Sequence, residues 1–312
     1  MIFDTHTDIL YNIVKHRLKG ERGVVENYHI PELLEGNVTG GIWTYYTDIN
    51  NELLTDFDQA IQYIIDELQG SENVQVVTTK SDWADHKVNV ILGLEGLASI
   101  RDINHIVELY NKGFRHAMLT WNEQNQFATG VGSEEEAGLT RLGCELVKKM
   151  NELGMVIDVS HANVQTFEDI LSVTTAPVIA SHSNCYSLEP HPRNLTDEQI
   201  KEIAIVDGVI GVTAVSKFTN PLKPDVASLV NHIDYLRDLV GTRHISLGFD
   251  FMNYLNAGEA NLIDCQSAAS ASLVIDELIN RGYSSMDING ITHVNAKRVI
   301  NYILRDDEKT LD

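Results

Sequence analysis

Leu139–His161 reads LTRLGCELVKKMNELGMVIDVSH. Leu139–Leu153 has the apolar spacing of an amphipathic helix, and Gly154 can take the left-handed conformation that ends one. Met155–Val159 is a short apolar run without polar alternation, as expected of a strand buried on both faces of a parallel sheet. Directly beyond it stand Ser160 and His161. Helix, glycine, buried strand and a chemically capable side chain at the strand's C-terminal end form one unit of an α/β fold.

The same unit recurs along the chain. Strands are expected at Met1–Thr5, Gly41–Tyr46, Val90–Leu94, Ala117–Thr120, Met155–Val159, Val178–Ala180, Val209–Thr213 and Ile245–Gly248. Helical patterns at Leu54–Leu68, Asn104–Asn111, Ile200–Val206, Ala227–Val240 and Leu273–Asn280 end near Gly70, Gly113, Gly208, Gly241 and Gly282. Thr196 with Gln199 reads as a capping box. Eight alternations in 312 residues predict a (β/α)8 TIM-like barrel, one domain over 1–312 with loop elaborations. A doubly wound open sheet is the alternative, weakened by the lack of a Gly-rich dinucleotide loop or a Walker lysine loop. Asn253–Ala271 reads as a loop over the site, and residues 306–312 as a frayed polar tail.

Composition narrows the partners. Apolar residues make up 43%, enough for a large core, yet no run is long enough to span a bilayer. Lys plus Arg number 23 against 45 Asp plus Glu, a formal charge of −22. So acidic a chain repels phosphate backbones and anionic lipid, which argues against nucleic-acid and membrane partners. Cys144, Cys185 and Cys265 show no CxxC spacing and point away from a disulfide framework or a thiolate zinc site. The opening Met1-Ile2-Phe3-Asp4 lacks the features of a secretion signal, so a cytoplasmic location is expected.

In a (β/α)8 barrel the chemistry projects from the C-terminal ends of strands. Of twelve histidines, His6, His161 and His182 follow an apolar strand, whereas His116 and His244 precede theirs. The same filter selects Asp8, Glu95 and Asp250 among the acids. His6 and Asp8 are two apart on an extended chain and so share a side. Singly, a strand-end histidine is commonly structural and a loop carboxylate commonly caps a helix. Together, three imidazoles and three carboxylates on one rim, with no lysine accompanying them, call for a compensating cation. Imidazole and carboxylate ligands suit zinc, and a carboxylate can bridge a metal pair.

These residues lie within an ordered set of motifs: DTHTD (Asp4–Asp8), HIPEL (His29–Leu33), GGIW (Gly40–Trp43), GLEG (Gly93–Gly96), LTWN (Leu119–Asn122), IDVSH (Ile157–His161), APVIASHS (Ala176–Ser183), PRN (Pro192–Asn194) and GFDF (Gly248–Phe251). The set runs nearly end to end and resembles the membrane-type (renal) dipeptidases and their bacterial cytosolic relatives, within the amidohydrolase-like barrels. The resemblance implies two zinc ions: His6 and Asp8 on the first, His161 and His182 on the second, and Glu95 bridging. Asp250 is then the proton-transfer group beside a hydroxide held between ions about 3.5–4 Å apart. Arg193 is implied to pair with the substrate's terminal carboxylate, and Asn194, in the same motif, to hold that loop at the substrate site. The family's substrates are dipeptides, often with a D-residue at the C-terminal position, and its members often form homodimers.

Trp121 stands where family members of the mammalian pattern carry a histidine that contacts the tetrahedral intermediate. Val215 stands where many relatives carry a substrate-holding tyrosine, and Met252 alters the motif after Phe251. These departures touch substrate contacts and spare every implied ligand. A guanidinium at Arg193 fits a carboxylate bidentately, favouring short peptides with a free C-terminus. The alternatives are another amidohydrolase-type enzyme of amide, lactone or deaminase chemistry, and a metal-binding scaffold without turnover. The first usually shows His-x-His after the first strand and often a carboxylated lysine bridge, where this chain has His6-x-Asp8 and Glu95.

Overall fold

The computed structural model describes residues 1–46, 56–255 and 260–306. Among them are nine parallel strands: β1 (Ile2–Thr7), β2 (Val38–Tyr46), β3 (Val74–Val76), β4 (Val88–Glu95), β5 (Phe114–Met118), β6 (Val156–Asp158), β7 (Ile179–Ala180), β8 (Val209–Val212) and β9 (Ile245–Leu247). Eight of them close a ring in the order β2-β1-β9-β8-β7-β6-β5-β4, sealed by β2 on β4 from Gly40 opposite Asn89 to Tyr46 opposite Glu95. The chain is thus a single-domain, closed, TIM-like barrel, and the open-sheet alternative falls.

β3 has no counterpart in the sequence reading. It pairs with Val88–Val90 at the start of β4, while β5 takes the later part of the same edge, Leu92–Glu95. At three residues it is too short for periodicity to reveal. Two of the strand boundaries that differ from expectation move a histidine into its strand. β1 runs to Thr7, so His6 lies inside it. β5 is Phe114–Met118 in place of Ala117–Thr120, so His116 is within the strand. There its Nε2 meets the buried Asp158 carboxylate at 2.9 Å, tying β5 to the end of β6. Helices Ile9–Arg17, Val164–Val173 and Asn295–Ile303 were not expected, and none ends on a glycine stop.

Helix Arg141–Leu153 fulfils the opening reading. Thr140 caps it by accepting from Gly143 N–H, and Gly154 ends it at φ 78°, where a side chain would also crowd the Ile303 carbonyl. The Thr196–Gln199 capping box is present. Asp207, at φ 57°, turns the chain where Gly208 was expected to do so.

The two mouths of the barrel differ. At the strand starts Phe3, Val156, Ile179 and Val209 pack with Val299, Ile300 and Ile303 of the last helix. Trp83 adds its ring to Phe3 at 5.9 Å and donates its indole N–H to Asn301. This apolar plug closes the N-terminal mouth and leaves the other mouth for ligands. Midway, Gly248 lies so close to the Ser181 carbonyl that a Cβ would sit 1.8 Å from it. Of the expected loop after β9, residues 256–259 are outside the described residues. Residues on either side are anchored: the Tyr254 hydroxyl lies 2.7 Å from Thr7 Oγ1, and Ser216 N–H donates to Ala260 C=O. Asp306 pairs with Lys80 at 3.0 Å, and the rest of the expected tail is outside the described residues.

Candidate metal centre

The six strand-end side chains converge. Glu95, the last residue of β4, has Oε2 3.7 Å from His6 Nε2. Its other oxygen, Oε1, lies 3.0 Å from His161 Nε2 and 3.7 Å from His182 Nε2. The carboxylate therefore presents one oxygen to each of two ligand sets. Asp8 Oδ2 stands 3.9 Å from His6 Nε2, and Asp250 Oδ1 3.7 Å from the same nitrogen. All six residues are buried.

Backbone and neighbouring side chains aim these groups. Asp8 uses Oδ1 to accept from Thr44 Oγ1 at 3.0 Å, which leaves Oδ2 for the cluster. His161 donates from Nδ1 to Asn122 Oδ1 at 2.8 Å, so its Nε2 lone pair faces Glu95. His182 Nδ1 meets Ser181 Oγ at 2.9 Å. His161 and Asp250 adopt φ of 67° and 57°. A left-handed non-glycine residue costs roughly 1–2 kcal/mol, a strain that gathers at functional sites. Asp250 is held there by its N–H on the His6 carbonyl and by Asn261, which donates to the Asp250 carbonyl and accepts from Met252 N–H.

Three observations show that a cation fits. His161 Nε2 and His182 Nε2 lie 2.9 Å apart, two lone-pair nitrogens turned on one spot with Glu95 Oε1. Neither ring nitrogen of His6 has a hydrogen-bond partner among the described residues, although both are buried. Metal bonds of about 2.0–2.2 Å set neighbouring ligand atoms of a tetrahedral ion a little over 3 Å apart, and the observed separations run from 2.9 to 3.9 Å.

The electrostatics agree. Burial alone would push His6 down, but the carboxylates of Glu95, Asp250 and Asp8 outweigh it and raise its pKa to about 10. Burial, reinforced by Asp8, holds Glu95 well above its ordinary value. Burial and the charges of Arg193, His6 and Lys217 keep His161 well below its own. In the absence of a bound cation the cluster's own groups take up protons, as the raised His6 and Glu95 show.

The cluster forms the floor of a cavity of about 630 Å³. Trp121 lines it, with its ring 5.0 Å from that of Tyr46 and 5.9 Å from that of His161. Arg193 also lines it, buried, with Nη2 donating to the His182 carbonyl at 3.2 Å. Asn194 is not among the lining residues. Its carboxamide donates to the Glu189 and Phe218 carbonyls and accepts from Asn184 N–H, which makes it a tie for the loop and removes it from the substrate contacts. Val215 is fully buried and is also absent from the lining. The sequence reading missed Tyr11, Tyr46, His191, Lys217 and Phe218 in the wall. Lys217 corrects the expectation that no lysine accompanies the carboxylates.

A closed parallel barrel carrying buried imidazoles and carboxylates at its C-terminal mouth defines a metal-dependent hydrolase. More specifically, the chain belongs to the membrane dipeptidase family, peptidase family M19, whose family model matches residues 1–310, and it is a metallo-dipeptidase of that family. It is 31% identical over 292 residues to dipeptidase AclJ of Aspergillus oryzae, an alignment spanning 86% of this chain and 68% of that protein. A metallopeptidase from Rhodobacter sphaeroides, liganded with a phosphinate mimic of L-Ala-D-Ala, superposes with a TM-score of 0.82 at 21% identity, covering 97% of this chain and 99% of that one. An amidohydrolase from Pseudomonas aeruginosa gives a TM-score of 0.81 at 20% identity, covering 97% and 96%. No helix among the described residues is long and apolar enough to cross a membrane.

Proposed function

We propose that this chain hydrolyses dipeptides with a free C-terminal carboxylate, L,D-dipeptides among them, with two zinc ions held by His6, Asp8, Glu95, His161 and His182. The supporting observation is the division of Glu95, with Oε2 towards His6 and Oε1 towards His161 and His182. His6, Asp8 and Glu95 would hold one ion, and Glu95, His161 and His182 the other, two groupings whose ligand atoms each lie within 4.8 Å of one another. Bound there, the ions would supply Lewis-acid polarisation of the scissile carbonyl and a more acidic water.

The chain's own groups do the rest. Asp250 lines the cavity beside the cluster and, as a carboxylate, accepts a proton from the attacking water at an Oδ atom. It then delivers that proton to the departing amine nitrogen, a transfer that contributes about 10²- to 10⁴-fold. Asn122 fixes the His161 ring, and Trp121 covers that ring on the cavity side, limiting water around the reacting bond. Arg193, which lines the cavity and is braced on the His182 carbonyl, would pair its guanidinium with the substrate's α-carboxylate, which sets substrate length.

Arg193 supplies the test of that length rule. Xaa-Ala should be cleaved well, Xaa-Ala-amide poorly and longer peptides more poorly still. Losing a charge-assisted pair costs about 1.5–3 kcal/mol, or roughly 10- to 150-fold in kcat/KM. Arg193→Met should narrow the acid-to-amide gap by a similar factor. Steady-state kinetics on both substrates decide it. An unchanged ratio with lower stability would leave Arg193 a structural role in its loop.

A further inference from the structure

Phe218, just beyond β8, carries basic groups around its ring. The His191 ring centroid lies 4.6 Å from it, the Arg193 guanidinium carbon 5.5 Å, and the Lys217 ammonium 4.9 Å. All four residues line the cavity whose floor holds Asp8, Glu95 and Asp250. The cavity is thus bipolar, acidic at the metal cluster and basic at the Phe218 wall.

One α-carboxylate is matched by one guanidinium. Arg193, buried and braced on the His182 carbonyl, is suited to that role. Lys217 adds a second permanent charge on the same ring, exposed at the rim. Two cations converging on one wall attract an anion more strongly than either alone. A second carboxylate two or three carbons from the first can reach Lys217 while the first stays on Arg193. Aspartate and glutamate at the C-terminal position have that geometry. We propose that Lys217, assisted by His191, forms a second carboxylate subsite that selects dipeptides ending in an acidic residue. This rests on the dipeptidase reading above and names its substrate class.

The test measures kcat/KM for Ala-Ala, Ala-Asp, Ala-Glu and Ala-Lys with the zinc-loaded full chain, in both the L,L and L,D series. Wild type should favour the acidic over the neutral substrates by about 2- to 5-fold at low salt, the range for an exposed charge pair. That preference should shrink as ionic strength rises. Lys217→Met should bring the acidic-to-neutral ratio near one, Lys217→Arg should keep it, and Lys217→Glu should shift preference towards Ala-Lys. A purely structural lysine would change every substrate by the same factor. Equal ratios in wild type and Lys217→Met would overturn the subsite while leaving the dipeptidase reading intact. Failure to cleave any dipeptide would overturn both.

Discussion

Glu95→Gln should cost the protein metal in both halves of the cluster and lower turnover by roughly 10³-fold, the scale of a lost electrostatic and Lewis-acid contribution. The carboxylate has one oxygen facing His6 Nε2 at 3.7 Å and the other facing His161 Nε2 at 3.0 Å. An amide keeps the shape but replaces one acceptor with an N–H2 donor, so whichever way it turns, one ligand set loses its oxygen. It also removes a negative charge from a cluster that raises its own imidazole, His6, to about 10. Metal content per chain by mass spectrometry, beside kcat, is the readout. Full metal content with normal turnover would show that Glu95 bridges nothing.

Asp250→Asn should separate chemistry from binding. The carboxylate lies 3.7 Å from His6 Nε2, at the edge of the cluster and in the cavity wall. A proton-transfer group there makes the variant keep most of its metal while kcat falls by about 10²- to 10⁴-fold. Asparagine is isosteric and tolerates the left-handed backbone at φ 57°, so the Asn261 and His6 bonds that hold this residue survive the change. Near-normal kcat with depleted metal would reassign Asp250 as a primary ligand.

The barrel was legible because its strands are buried on both faces and therefore read as short apolar runs, and because Gly113, Gly154, Gly241 and Gly282 turn the chain at positive φ just after their helices. Helix Val164–Val173 was missed for the complementary reason: it ends on Thr174 in extended conformation, without a glycine. His6, Asp8, Glu95, His161, His182 and Asp250 were legible from strand-end position, since the fold delivers such residues to one mouth. Their supports were not. Asn122 meets His161 across 39 residues, Thr44 meets Asp8 across 36, and Asn261 reaches back to the Asp250 carbonyl. Such partners have no sequence period, because the chain brings them together only by closing the barrel. Arg193 lies in a loop and Lys217 in the short helix Ser216–Thr219, and the two meet around the Phe218 ring only in the folded barrel. Asn194, adjacent to Arg193 in the same motif, turns to the backbone, which proximity in sequence could not distinguish.

The most direct measurement follows metal content and dipeptide hydrolysis in one preparation, before and after chelation and after zinc is restored. The expected result is close to two zinc ions per chain, cleavage of L,L- and L,D-dipeptides, loss of both on chelation and recovery of both with zinc. Folding should persist in the chelated protein, because the apolar plug of Phe3, Val299 and Ile300 lies at the opposite mouth. Undiminished dipeptide hydrolysis by metal-free protein would contradict the metal centre. Stoichiometric zinc without cleavage of any dipeptide would contradict the substrate.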